Sequence, residues 1–220
     1  MAFAGKRIAV FVWLFFLILG GSLSGIAWTS DAKASAVESG TSAAGGYVYV
    51  IPVQMTVQEG LYSFLDRALS EAEGAGAALA VLNIDTPGGR LDTAETIAKR
   101  IRESQVPTLA YVSGKAASAG AYLALNAGGI VMSPGSTIGA AMIVDQSGNA
   151  VDNPKIVGHW RSEMIAAAEL NGRNPDIAVA MIDPDVELEL KEINRSKTKG
   201  QILSLSAQEA LALGYADHIA

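Results

Sequence analysis

The run at residues 77–84 ends at Asp85-Thr86-Pro87-Gly88-Gly89, and it narrows the fold more than any other feature of the chain. A strand that is apolar throughout, rather than alternating, is buried on both faces, which occurs chiefly in parallel sheets covered by helices. The runs at 47–53 and 108–112 have the same character. Apolar residues at three-and-four spacing follow the first two runs: Leu61, Phe64, Leu65, Ala68 and Leu69, then Leu91, Ala94, Ile97, Ala98 and Ile101. That spacing marks amphipathic helices. Strand and helix therefore alternate, which specifies an α/β class built of right-handed βαβ units.

The third run leads through Ser113-Gly114-Lys115-Ala116-Ala117-Ser118-Ala119-Gly120 into a small-residue helix ending near Leu125, then a short strand at 130–132. Residues 133–153 are dominated by Gly, Ser, Ala and Asn without helical period. Loops of that length in compact domains tend to be functional. Asn153-Pro154-Lys155 predicts a helix start, because Asn caps well and Pro suits the first helical position. Val186, Leu188 and Leu190, together with 202–205, predict two strands joined by an exposed turn at 194–200. Ser206-Ala207-Gln208-Glu209 is a capping box, and Gly214 is placed to stop the helix it opens.

The N-terminus has a different grammar. Lys6 and Arg7 precede an apolar run at 8–19 that continues less purely to Trp28, and Ala32-Lys33-Ala34 offers the small residues of a cleavage site. Residues 1–34 are expected to be a signal peptide or a retained membrane anchor, followed by a flexible linker at 35–46 and one domain at 47–220. The domain is expected on the extracytoplasmic side. Without Lys6, Arg7, Lys33 and Asp31 the formal charge moves from −6 to −8, which disfavours nucleic acid as a partner. The chain has no cysteine, so disulfides, thiol nucleophiles and thiolate metal sites are excluded. Two histidines in ordinary contexts give no sign of a metal centre, and no cofactor is expected.

A serine hydroxyl attacks a carbonyl only if a base takes its proton and donors receive the oxyanion. Ser118 follows a buried strand through a small-residue turn and opens a helix, so its hydroxyl can stand proud beside the amide of Ala119. A second amide comes from Gly88 or Gly89, where the absence of a side chain permits close approach. Lys155 is the candidate base. A lysine serves as one when desolvation or positive potential favours its neutral form; a helix's first turn supplies the potential, and Ile156, Val157 and Trp160 are expected to supply partial burial. His159 and Lys115 are competing bases, and His218 reads as structural. Ile138, Met142 and Ile143 are candidates to receive apolar substrate side chains. Each residue also has a plain alternative: a packed helix-terminal serine, a β–α turn, a surface lysine, loop anchors.

Several ordered motifs together resemble a known family: Asp85-Thr86-Pro87-Gly88-Gly89, Ala116-Ala117-Ser118-Ala119-Gly120 with Tyr122, Ser133-Pro134-Gly135-Ser136 with Ile138-Gly139, Asn153-Pro154-Lys155-Ile156, and Ser206-Ala207-Gln208-Glu209-Ala210-Leu211 with Gly214. The family is NfeD, the stomatin operon partners, membrane-associated serine proteases of the ClpP class. The resemblance implies a ClpP/crotonase-like fold of repeated ββα/βαβ units. It also implies a Ser118–Lys155 dyad, oxyanion donors at Gly89 and Ala119, and self-association as a homodimer or larger. The implied substrates are hydrophobic segments of stomatin-like membrane proteins. Signal peptide peptidases of the SppA type share the glycine and serine features. A non-catalytic scaffold for stomatin-like partners is the alternative from another class, with a solvent-facing Lys155 as its signature. Crotonase-type acyl-CoA chemistry is disfavoured by the export signal.

Overall fold

The structure, a computed structural model, describes residues 46–220. The expected export segment at 1–34 lies outside the described residues, as does all of the linker except Gly46. Among the described residues no helix is long and apolar enough to cross a membrane.

The first half is the expected alternation: β1 Val48–Val53, α1 Glu59–Gly74, β2 Leu79–Thr86, α2 Leu91–Arg102, β3 Thr108–Ala117, α3 Ala119–Leu125 and β4 Gly129–Met132. These strands pair in parallel in the order β1-β2-β3-β4, and β9 His218–Ile219 adds in parallel at the β4 edge. The predicted helical faces are the buried ones: Leu61, Leu65, Ala68 and Leu69 in α1, and Ala94, Ile97, Ala98 and Ile101 in α2. Burial on both faces of the sheet is not observed. In β2, Ala80, Leu82, Ile84 and Thr86 are buried, whereas Leu79, Val81 and Asn83 are only partly so. In β1, Val48 and Val50 are 52% and 58% exposed. The core thus lies on one side, and the apolar residues of opposite parity lie on a sheet face left partly open.

The second half redirects the chain around the end of β3. Beyond Val112, β3 leaves β4 and pairs with β5 Thr137–Gly139 through Lys115, Ala116 and Ala117. β8 Ser204–Ser206 then pairs antiparallel with β5. This corrects the expected pairing of 186–190 with 202–205. β6 Leu188–Leu190 instead pairs with β7 Arg195–Lys197 through a 3-10 turn at Lys191–Ile193 and a left-handed Asn194. The short α5 Pro175–Ala180, capped by Asn174, has no counterpart in the sequence expectation. α4 Pro154–Leu170 starts as expected, with the Asn153 side chain accepting from the amides of Lys155 and Ile156. The capping box of α6 Ala207–Ala212 is formed, and Gly214 follows it at φ +68°.

Candidate active site

Ser118 sits between β3 and α3 at φ 54°, ψ −123°, a conformation that non-glycine residues rarely adopt. Holding it costs about 1–3 kcal/mol, so the surroundings must enforce it. They do: its amide donates to the Gly139 carbonyl at 3.0 Å, and its own carbonyl accepts from Ala121 at 3.0 Å. Ala119 opens α3, where the first amides have no helical partner.

Gly88, at φ +97°, lies directly against this turn. A Cβ placed on it would stand 2.5 Å from the Ser118 Cβ and 3.0 Å from the Ala119 nitrogen. Both Gly88 backbone groups are occupied: its N–H donates to Thr86 Oγ1 at 3.2 Å and its carbonyl accepts from Val57 at 2.8 Å. Gly88 therefore supplies close approach rather than a donor. Val57 also accepts from the Arg90 amide at 2.8 Å. Pairing through residues 88 and 90 turns the intervening Gly89 N–H away from Val57, and that amide has no partner among the described residues. Gly89, Ser118 and Ala119 line one cleft of about 1580 Å³. That is larger than a typical small-molecule pocket of roughly 300–1,000 Å³ and roomy enough for an extended chain.

Lys155 reaches the same cleft from the first turn of α4. Its side chain is exposed, and no hydrogen bond or ion pair joins it to Ser118 or to another described residue. The expected partial burial is not observed: of its apolar neighbours only Trp160 is buried, while Ile156 is 40% exposed at the rim. His159, one turn further, also lines the cleft, with Nε2 3.0 Å from Glu95 Oε1 on α2. Lys115 is exposed on β3, paired in register with Thr137 and outside the cleft lining. His218 is exposed on the edge strand β9.

Of the candidate apolar contacts, Met142 and Ile143 stand on the cleft wall. Ile138 does not: it is 1% exposed and belongs to the core, because the alternation of β5 turns it inward. The wall at 140–143 is anchored from behind. Ala140 donates to Leu203 at 2.8 Å, Ala141 to Met181 at 2.7 Å, and the Ala141 carbonyl accepts from Trp160 Nε1 at 2.9 Å. Sequence reading missed Trp160 as the anchor and Thr86 as the partner of Gly88. A tryptophan one turn beyond the expected dyad lysine was the available signal for the first. The second had none, since a hydroxyl's partners depend on tertiary placement.

The family description "NfeD1b, N-terminal domain" matches residues 47–220. The chain belongs to the NfeD1b family. Membrane protein NfeD1b of Bacillus subtilis (strain 168) is 47% identical over 170 residues, covering 77% of this chain and 38% of its own length. Membrane-bound protease PH1510 of Pyrococcus horikoshii is 35% identical over 152 residues, covering 66% of this chain and 34% of its own. The NfeD1b-family chain thus spans little more than a third of these relatives. Among solved structures, a variant of the 1510-N membrane-bound stomatin-specific protease superposes with a TM-score of 0.69 at 32% identity, covering 80% of this chain and 81% of that one. ClpP1 of Listeria monocytogenes, 18% identical with a TM-score of 0.59 over 78% of this chain and 91% of its own, shows the ClpP-like fold alone.

Proposed function

We propose that residues 47–220 form a serine endopeptidase domain with Ser118 as nucleophile, Lys155 as base, and the Gly89 and Ala119 amides as oxyanion donors. One observation carries the reading: Ser118 is held at positive φ on a strand-to-helix turn, with two unpartnered amides and the bare Cα of Gly88 beside it. Neutral Lys155 takes the Ser118 proton as Oγ attacks a peptide carbonyl, and the two amides receive the charge that develops on oxygen. The lysine returns the proton to the departing amine as the C–N bond breaks. Water, deprotonated in turn, releases the acyl group.

The relatives point to the substrate class. A 1510-N structure is described as a lysine-to-alanine variant in complex with a substrate peptide, and the PH1510 domain as stomatin-specific. For this chain the corresponding substrate is an apolar segment of a stomatin-like membrane protein, reached on the extracytoplasmic face by an exported, self-associating domain. Exposure of Lys155 favours a second reading, a scaffold that binds such segments without cutting them.

The test is cleavage of a quenched fluorescent peptide, carrying the sequence of a stomatin-like membrane segment, by the full chain in detergent, with fluorophosphonate labelling alongside. Wild type cuts and is labelled, Ser118→Ala does neither, and Lys155→Ala is folded but inert. An inert, unlabelled wild type that still binds the peptide establishes the scaffold instead.

A further inference from the structure

We infer that Thr86 is the positioning residue of the oxyanion site, setting the spacing of the Gly89 and Ala119 amides with its hydroxyl on one side and its methyl on the other. This rests on the protease reading above. Thr86 ends β2 and is fully buried. A buried hydroxyl must be satisfied, and this one donates to the Met55 carbonyl at 2.7 Å and accepts from the Gly88 amide at 3.2 Å. Donation to Met55 fixes the hydroxyl proton and leaves the lone pairs for Gly88.

The Gly88 amide, held there, keeps that residue at φ +97° with its carbonyl on Val57, and the next amide in the chain is then the one turned away from Val57. The methyl meets the other donor's helix: a Cβ on Gly120 would lie 2.6 Å from Thr86 Cγ2. The first turn of α3, which carries the Ala119 amide, therefore rests on the Thr86 methyl. One side chain touches both elements that frame the oxyanion, while lying outside the lining of the cleft.

A merely structural threonine would be replaceable by valine, which has the same shape. A positioning role is not, because Val leaves the buried Gly88 N–H without its partner, releases the Met55 carbonyl and frees the glycine strand to turn. Oxyanion donors act in the transition state, so misplacing them lowers kcat and leaves KM in place.

The test compares Thr86→Val and Thr86→Ser in the full chain in detergent, with the quenched peptide above and with hydrogen–deuterium exchange of residues 86–91. Thr86→Val is expected to lower kcat roughly 10- to 100-fold with KM within about twofold, and to exchange faster over 86–91. Thr86→Ser, which keeps the hydroxyl and loses the methyl, is expected to recover the protection over 86–91 and only part of the rate, the remaining loss reporting the missing support under Gly120. Wild-type kcat in Thr86→Val, a matched loss in KM, or no recovery in Thr86→Ser overturns the inference. If wild type itself neither cleaves nor labels, the protease reading has failed, and the exchange data alone decide: wild-type protection over 86–91 in Thr86→Val refutes the role of the hydroxyl, and lost protection recovered by serine upholds it.

Discussion

A Cβ on Gly88 would stand 2.5 Å from the Cβ of Ser118, so these two residues, thirty positions apart in the chain, share a space that admits no methyl group. Gly88→Ala must overcome that clash and a positive φ that costs an L-residue about 1–2 kcal/mol. Relief requires moving either the Ser118 turn or the glycine strand. Peptide cleavage by Gly88→Ala is expected to fall at least about 100-fold, with fluorophosphonate labelling of Ser118 lost in parallel. Retained labelling at the wild-type rate would show that the two segments tolerate separation.

Ile138 and Met142 lie four positions apart and are expected to respond in opposite ways. Ile138→Ala opens a cavity in the core at a cost of about 2–5 kcal/mol. Met142 is half-buried on the cleft wall, so Met142→Ala should leave stability within about 1 kcal/mol of wild type and raise KM for apolar peptides. Thermal melts beside Michaelis curves separate the two. A Met142→Ala chain with unchanged KM would remove that residue from the substrate wall.

How far the site could be read from the sequence follows the range of the interactions involved. The strand–helix order from β1 to β4 and the buried faces of α1 and α2 are local periodicities, and so are the Asn153 and Ser206 caps; each was legible, whereas the open face of the sheet and the strand β5 were not. Ser118 on a strand-to-helix turn was legible for the same reason. The pairing of β6 with β7 was not, because Leu205 and Leu190 are both apolar and nothing local assigns Ile138 to the first and Arg195 to the second. The buried Lys197 makes the same point: charge predicts a surface, yet its ammonium donates to the carbonyls of Asp183, Pro184 and Val186. The exposure of Lys155 was equally hidden, since burial beside Ile156 depends on what covers the start of α4.

Stability in acid should pass through Glu73. Its carboxylate accepts from Arg100 Nη1 and Nη2 at 2.9 and 3.0 Å and from the Gln105 amide at 3.0 Å, and the Arg100 hydrogen bonds above all hold its pKa below the ordinary 4.5. A carboxyl with a depressed folded pKa binds fewer protons when folded. Its contribution is complete above the unfolded value and is lost as pH falls through the folded one. Glu73→Gln should therefore be less stable than wild type at pH 7, by no more than about 1 kcal/mol because solvent screens the pair, and the gap should close on acidification below pH 4.5. A gap independent of pH would locate the effect in packing instead of charge.

Tyr122 and Glu163 join the helix of the serine to the helix of the lysine. The Tyr122 hydroxyl donates to Glu163 Oε2 at 2.5 Å, and its ring centroid lies 4.8 Å from that of Trp160. Burial first, and the carboxylate second, push the phenol's pKa well above its ordinary value, so it remains a donor across the working pH range. Tyr122 is one turn beyond Ser118, and Glu163 two turns beyond Lys155, so this bond fixes the spacing of α3 and α4 behind the cleft. Hydrogen bonds to charged groups are worth about 1.5–3 kcal/mol. Tyr122→Phe is expected to lower stability by about that amount, and cleavage by roughly tenfold through a shifted Lys155. A double-mutant cycle with Glu163→Gln checks it: coupling of about 1 kcal/mol or more marks the pair as one unit, whereas simple additivity would assign the loss to the ring's packing on Trp160.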